Sequence, residues 1–183
     1  MDKTYHLEVA GIARELPIMQ VAPELSIASF VILGDCEIVV KSAPFLVEKL
    51  PQVDVLVTAE AKGIPLVHEI ARLLGHQTYI VARKSVKPYM DEPLVDEVES
   101  ITTQKKQMLA LDGHDAEAIR GKRVAIIDDV ISTGESMSAV ERLIERAGGE
   151  VVARAAILAE GDAAKREDIL FLGELPLFPH EAK

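Results

Sequence analysis

Two neighbouring carboxylates, Asp128 and Asp129, lie in the stretch VAIIDDVISTGES, between an apolar run and a short polar turn. Adjacent carboxylates repel each other, and burying them together costs free energy, so packing alone does not account for the pair. Such a pair is suited to accept hydrogen bonds from the vicinal hydroxyl groups of a sugar, or to hold a hydrated Mg²⁺ through its water molecules. We interpret both acids as sugar and metal ligands.

The turn after the acids has the chemistry of an anion site. Ser132, Thr133 and Gly134 precede a helical pattern, so unpaired backbone N–H groups and the positive end of a helix dipole face the turn. An ordinary Ser/Thr N-cap is the alternative interpretation. The spacing is not that of a P-loop and no lysine follows, which argues against a nucleoside triphosphatase. Phosphate on the turn and hydroxyl groups on the acids together describe a ribose 5-phosphate.

Two further loops carry positive charge. The first is the run Glu60, Ala61, Lys62 and Gly63, and the second holds Arg83, Lys84 and Lys87. In the first loop Lys62 supplies a cation and Gly63 permits close approach of the backbone. The second places three cations within five positions of an otherwise acidic chain, where Arg suits bidentate phosphate contacts and Lys acts as a point charge. An ordinary strand-to-helix loop and a solvated basic patch are the respective alternatives.

Strand-like and helix-like segments alternate around these loops. The predicted strands are residues 53–58, 78–82, 123–128, 150–159 and 169–172. The predicted helices are residues 64–74 and 135–147, each followed by glycine. This alternation predicts an α/β fold with a doubly wound, mostly parallel sheet and helices on both faces. Ligands of such sheets bind at the carboxyl ends of the strands, where the loops described above lie.

The 183 residues are expected to form one domain. Residues 1–50 are interpreted as an N-terminal hood with a first helix, 51–160 as the core, and 161–183 as a C-terminal extension. Within the core, the polar segment 84–112 is too long for an ordinary connection and predicts a flexible excursion or hairpin.

Charge and composition exclude several classes of protein. A formal net charge of −10 argues against a nucleic-acid surface, which needs a basic footprint. The sequence has no leader-like apolar segment and no apolar run long enough for a membrane helix. Its one cysteine, Cys36, is expected to be a reduced, buried thiol. We therefore predict a cytoplasmic protein with no nucleic-acid or membrane partner.

The stretch IIDDVISTGES resembles the motif with which type I phosphoribosyltransferases bind 5-phosphoribosyl-1-pyrophosphate (PRPP). The resemblance implies that the family fold is present and that a turn binds the 5-phosphate. That turn comprises Val130, Ile131, Ser132, Thr133, Gly134, Glu135 and Ser136. Most members of the family have a second glycine where this chain has Glu135, so this carboxylate must face solvent. The resemblance also implies that Mg²⁺ is bound through water by Asp128 and Asp129.

The two basic loops resemble purine enzymes of the same family. Glu60, Ala61, Lys62 and Gly63 are similar to the pyrophosphate loop of adenine phosphoribosyltransferases. Arg83, Lys84 and Lys87 resemble residues that reach the pyrophosphate in adenine and xanthine enzymes. By this resemblance the catalytic residues are Asp128, Asp129, Lys84 and Arg83.

The hairpin and the hood also resemble the purine enzymes of this family, but less closely than the two basic loops do. Residues 98–111 resemble the flexible catalytic hairpin of xanthine enzymes, but Thr103 stands where adenine enzymes have a proton-donating glutamate, and Glu99 is the alternative acid. The segment AGIARELPIM, which contains Leu16, resembles the N-terminal segment of adenine enzymes, and the segment LSIASFVILGD, which contains Leu25 and Phe30, resembles the hood of xanthine enzymes. The resemblance implies that Leu16, Leu25 and Phe30 lie at or near the purine. Where xanthine enzymes have a base-contacting lysine, this chain has Glu160 followed by Gly161.

The resemblance implies transfer of ribose 5-phosphate from PRPP to a purine base, with adenine favoured, to give a nucleoside monophosphate and pyrophosphate. Xanthine and hypoxanthine or guanine are the alternative bases. A non-catalytic PRPP sensor is the alternative class of protein, favoured by the missing glutamate and by Glu135. The expected cofactor is Mg²⁺, the expected ligands are PRPP and a purine base, and a homodimer is expected from the family.

Overall fold

The computed structural model describes residues 3–99 and 106–180 of the chain. In chain order the strands are β1 (Thr4–Val9), β2 (Ile12–Ala22), β3 (Leu25–Ala28), β4 (Val55–Ala59), β5 (Ile80–Ala82), β6 (Leu94–Glu99), β7 (Lys106–Leu111), β8 (Arg123–Ile131), β9 (Glu150–Glu160), β10 (Gly173–Leu175) and β11 (Leu177–Pro179). The helices are α1 (Cys36–Lys49), α2 (Ile64–Leu74), α3 (Gly113–Ile119) and α4 (Glu135–Arg146). A short 3-10 helix spans Gly161–Lys165.

A five-stranded sheet forms the centre of the fold, in the order β10-β9-β8-β4-β5, and every neighbouring pair is parallel. This confirms the predicted sheet. The strand predicted at 123–128 continues to Ile131, because Val130 and Ile131 still pair with β9. The strand predicted at 169–172 is wrong: Leu170 forms only an isolated bridge to Ala155, and the regular strand is β10.

Helices cover both faces of this sheet, as predicted. Residues of α1 and α2 pack in one hydrophobic cluster, and residues of α3 and α4 pack in another on the opposite face. Alternation along β8 sends Ala125 and Ile127 to the first cluster and Val124 and Ile126 to the second. The predicted helix 64–74 coincides with α2, and Gly75 ends it in the left-handed conformation that glycine adopts freely.

The hood is a second, antiparallel sheet in the order β1-β2-β3-β11. Three of its strands come from the predicted N-terminal segment, but β11 comes from the C-terminal extension. An added Cβ at Gly161 would lie 2.6 Å from the Leu177 side chain, so the end of β9 touches the hood. The C-terminal extension thus supplies one strand to each sheet.

The predicted excursion contains the antiparallel hairpin β6–β7. Its inner end is part of the core, because Leu109 and Leu111 are buried and the backbone of Ala110 pairs with Arg83. The first half of β6 is also held on α4, where Arg142 donates to the Asp96 carboxylate at 2.6 Å. Glu99 ends β6, and Thr103 lies outside the described residues.

The prediction that Cys36 is buried is wrong: it is the first residue of α1, just after the N-cap, and its side chain is exposed. Within residues 3–99 and 106–180, no helix combines the length and the apolar character that crossing a membrane requires.

Candidate functional site

A cavity of about 210 Å³ opens at the carboxyl ends of β4 and β8. The residues that line it come from the three predicted loops and from the base of the hairpin: Ala59–Lys62, Lys84, Met108, Leu109, and residues 128–137. The parallel sheet therefore brings together loops that are separated by many residues in sequence, as expected for ligand sites of such sheets.

The acid pair lies at the bottom of this cavity. Asp129 is 1% exposed, and the backbone N–H of Asp129 donates to Oδ1 of Asp128 at 2.8 Å. Burial, and then the neighbouring Asp129 carboxylate, raise the pKa of Asp128 to about 7. Both causes disfavour the charged form, so a neighbouring cation favours the ionised state of the pair.

Lys62 supplies part of the compensating charge. Its Nζ lies 3.1 Å from Oδ2 of Asp129, although this buried oxygen accepts no hydrogen bond within the described structure. A carboxylate oxygen left in this state fits a water-bound Mg²⁺, which commonly uses one or two carboxylates together with substrate phosphates. No cluster of three His, Cys, Asp or Glu side chains, among the residues described, is arranged as an all-protein metal site.

The loop that carries Lys62 is pressed against the sheet at Gly63. A Cβ at this position would lie 2.2 Å from Thr58 Oγ1, 3.1 Å from the Ile127 carbonyl oxygen and 3.2 Å from the Asp128 Cα. Only glycine permits this approach, which sets the height of the loop above β8. The Glu60–Ala61 peptide bond in the loop is cis.

Glu60 joins this loop to the basic segment after β5. Its Oε2 accepts from the backbone N–H of Lys84 at 2.9 Å and from Nε of Arg83 at 3.1 Å. These two hydrogen bonds, that of Lys84 first, hold the pKa of Glu60 below its ordinary value. Lys84 lines the cavity, whereas Lys87 does not and instead donates to Ser85 Oγ at 2.6 Å.

The predicted phosphate turn lies at the start of α4. Gly134 is the N-cap residue with φ of +82°, and Thr133 Oγ1 accepts from the backbone N–H of Glu135 at 3.4 Å. Four side chains of the turn are exposed, those of Ser132, Thr133, Glu135 and Ser136. The exposure of Glu135 agrees with the expectation that its carboxylate faces solvent. Ile131 contributes only its backbone, since its side chain is buried in the core.

Sequence reasoning missed Arg166 at this turn. A Cβ at Gly134 would lie 2.8 Å from Arg166 Nη1, so the guanidinium group sits directly against the turn. The two residues are remote in sequence, and no motif links them. The approach becomes visible only because the segment after β9 returns toward the start of α4.

The structure does not bring the three predicted purine-contacting residues to the cavity. Leu16, on β2 of the hood, and Phe30, which follows β3, are buried in a hydrophobic core cluster, and Leu25 is half-buried on β3. Their role therefore stays a prediction. Glu160 ends β9 at the same edge of the sheet and is 9% exposed, and its carboxylate has no hydrogen bond or ion pair to residues 3–99 or 106–180.

Comparison with known proteins agrees with this geometry. Residues 45–173 match the family model of the phosphoribosyl transferase domain. A hypoxanthine/guanine phosphoribosyltransferase of Methanocaldococcus jannaschii is 32% identical over 162 residues, which cover 88% of this chain and 76% of that protein. One from Methanococcus voltae is 37% identical over 62% of this chain, and the match spans only 57% of its length.

Two solved structures with the same fold are of adenine phosphoribosyltransferases. An adenine phosphoribosyltransferase of Thermoanaerobacter pseudethanolicus superposes with a TM-score of 0.66 at 25% identity, covering 78% of this chain and 84% of that one. The enzyme of the same name from Rhodothermus marinus has a TM-score of 0.63 at 23% identity and covers 94% of each chain, which supports the fold alone. With the domain match spanning most of the chain and the phosphate turn, acid pair and basic loops meeting in one cavity, the protein belongs to the phosphoribosyltransferase family and has its type I fold.

Proposed function

We propose that this protein transfers ribose 5-phosphate from PRPP to a purine base and releases pyrophosphate. The observation that carries the proposal is the single cavity lined by the acid pair, Lys62, Lys84 and the turn at the start of α4. Each group in it matches one part of PRPP: hydroxyl groups, pyrophosphate or 5-phosphate.

Each part of the cavity has one task in this proposal. The turn of residues 130–136 binds the 5-phosphate, and Asp128 and Asp129 accept hydrogen bonds from the ribose hydroxyl groups. Lys62 and Lys84 neutralise the departing pyrophosphate, while Arg83 acts through its hydrogen bond to Glu60. In a bound state, Mg²⁺ held through water by the acid pair would add positive charge at the leaving group.

In the reaction the N9 nitrogen of the base forms a bond to the ribose C1, the bond from C1 to the pyrophosphate oxygen breaks, and the base loses a proton. The transition state has oxocarbenium character, so fixed charges around the sugar do most of the catalytic work. The buried acid pair beside the ribose stabilises the positive sugar and the cations stabilise the negative leaving group.

Two lines of evidence point to different bases. The sequence motifs favour adenine, and the solved neighbours at up to 25% identity are adenine enzymes. The curated relatives, which are 32–39% identical, are named hypoxanthine/guanine phosphoribosyltransferases. We propose a 6-oxopurine ahead of adenine because the sequence relatives have the higher sequence identity.

We also propose a homodimer, as the resemblance to the family implies, and sedimentation analysis tests it.

Pyrophosphate release tests the proposal directly. The protein is incubated with PRPP and Mg²⁺ and offered adenine, hypoxanthine, guanine and xanthine in turn. We expect release with at least one purine, and loss of release when Asp128→Asn and Asp129→Asn are combined. Asp162→Asn is the matched control, because it removes an exposed carboxylate outside the cavity.

The same experiment separates the alternative class of protein. A PRPP sensor would bind PRPP in calorimetry and release no pyrophosphate with any purine. That outcome overturns the enzymatic proposal and leaves the binding assignments of the cavity standing.

A further inference from the structure

The phosphate turn contains no positive side chain of its own. Residues 130–136 include the carboxylate of Glu135 and neither lysine nor arginine. Of the two lysines that line the cavity, Lys62 lies at Asp129, and Lys84 belongs to the segment after β5. A phosphate dianion at the turn therefore has the helix dipole of α4 in its favour and a carboxylate close by.

Arg166 approaches the turn in a fixed orientation. Its Nε donates to Oδ1 of Asp168 at 2.9 Å, and its Nη2 donates to Oδ2 of the same residue at 2.6 Å. The third nitrogen, Nη1, donates no hydrogen bond to any residue in 3–99 or 106–180, and it is the atom that lies against Gly134. Asp168 thus aims one unused donor at the turn.

We propose that Arg166 is a positioning and charge-supplying residue for the 5-phosphate turn. The pair with Asp168 is neutral overall but oriented, with its positive end at Gly134 and its negative end away from the turn. The positive end offsets Glu135 and raises the affinity of the turn for a phosphate group. This inference rests on the proposed function of the turn.

The absence of a side chain at Gly134 makes the arrangement possible. A Cβ there would meet Nη1 at 2.8 Å, and the positive φ of +82° already disfavours other residues. The turn and Arg166 are therefore matched in shape: the backbone leaves the space that the guanidinium group occupies.

The test compares two ligands that occupy different halves of the cavity. Calorimetry with Mg²⁺ measures the affinities of ribose 5-phosphate and of pyrophosphate for the wild type and for Arg166→Met. We expect ribose 5-phosphate to bind about tenfold more weakly to the variant, the usual consequence of losing an interaction with a charged group. Pyrophosphate affinity should stay within twofold of the wild type, since Lys62 and Lys84 are unchanged.

A matched control and a conservative variant exclude general effects. Arg72→Met removes an arginine that holds Glu69 with the same two-nitrogen geometry on α2, outside the cavity, and should change neither affinity. Arg166→Lys keeps the charge without the planar group and should restore part of the lost affinity. Increasing salt concentration should reduce the difference between wild type and Arg166→Met.

Three outcomes would overturn the inference. Equal ribose 5-phosphate affinity in wild type and Arg166→Met shows that the charge is irrelevant. A parallel loss of both affinities with a lower melting temperature, not relieved by Arg166→Lys, shows a purely structural role. If the wild type binds neither ligand, the proposed function fails and this inference fails with it.

Discussion

Replacing Gly63 by alanine tests how the loop of residues 60–63, the proposed pyrophosphate site, is positioned. Gly63 has φ of −72° and ψ of −13°, a conformation that alanine adopts without strain. On backbone entropy alone the substitution should stabilise the protein by about 0.4–1 kcal/mol. Any loss of stability must therefore come from the added methyl group.

The surroundings of Gly63 leave no room for that methyl group. It would lie 2.2 Å from Oγ1 of Thr58, a fully buried residue of β4, and 3.1–3.2 Å from backbone atoms of β8. A buried strand residue cannot move aside, so the loop must lift away from the sheet. Forced overpacking of this kind costs about 1–3 kcal/mol, which outweighs the entropic gain.

Lifting the loop also separates Lys62 from Asp129, which are 3.1 Å apart in the native protein. We expect urea denaturation to show a net loss of about 1–2 kcal/mol for Gly63→Ala. We expect calorimetry to show pyrophosphate binding that is at least tenfold weaker. Adding Thr58→Ala should recover part of the stability, because it removes the shortest contact and leaves the two backbone contacts.

Gly75→Ala is the matched control at the other end of α2. Gly75 has φ of +74° with no atom within 4 Å of an added Cβ. Its substitution should cost about 1–2 kcal/mol through left-handed strain and leave ligand affinity unchanged. The reasoning is refuted if Gly63→Ala is as stable as the wild type and binds pyrophosphate equally well.

Three further predictions concern stability and base choice. Arg123 holds the pKa of Asp54 well below its usual range. The pair therefore stabilises the fold above about pH 4, and this stabilisation is lost as the pH falls through the lowered pKa. In Asp54→Asn the unfolding free energy should depend less steeply on pH in the acid range, and an unchanged slope would contradict this. Asp35 caps α1 and accepts two hydrogen bonds from Arg14. Asp35→Ala should therefore lower the unfolding free energy by about 1 kcal/mol in urea titrations. Asp35→Asn keeps the cap and should lower the unfolding free energy less. Glu160 stands where xanthine enzymes have a base-contacting lysine, and we predict that its carboxylate contacts the base. Glu160→Gln should then reduce kcat/KM for guanine more than for hypoxanthine, because only guanine offers an amine beside N1–H to a carboxylate. An equal change for both bases would contradict this prediction.

The fold was predictable where periodicity was strong. The apolar spacing of α2 and α4, each followed by glycine, predicted both helices with at most one residue of error. The end of β8 could not be predicted in this way, because Val130 and Ile131 pair with β9 although two acids precede them. Strand pairing with a distant neighbour overrides the local signal of a charged residue.

In the candidate site, too, residues within local motifs could be predicted from the sequence, and residues placed by tertiary contacts could not. The acid pair, Lys62 and the turn could be predicted as neighbours in one cavity because each lies within a short motif next to its own strand. Arg166 was not found, since its approach to Gly134 depends on how the segment after β9 folds back. The hood residues were assigned by resemblance alone, and tertiary packing places Leu16 and Phe30 in the core.

The crossing of β11 into the hood has a consequence for the order of folding during synthesis. β11 pairs with β3, yet it is synthesised after every strand of the parallel sheet. Contacts between such distant segments form slowly, because a long loop must close first. The nascent hood therefore waits as a three-stranded sheet with an open edge at β3, and such edges are prone to pair with other chains. We therefore expect this edge to need protection by chaperones until β11 has been made.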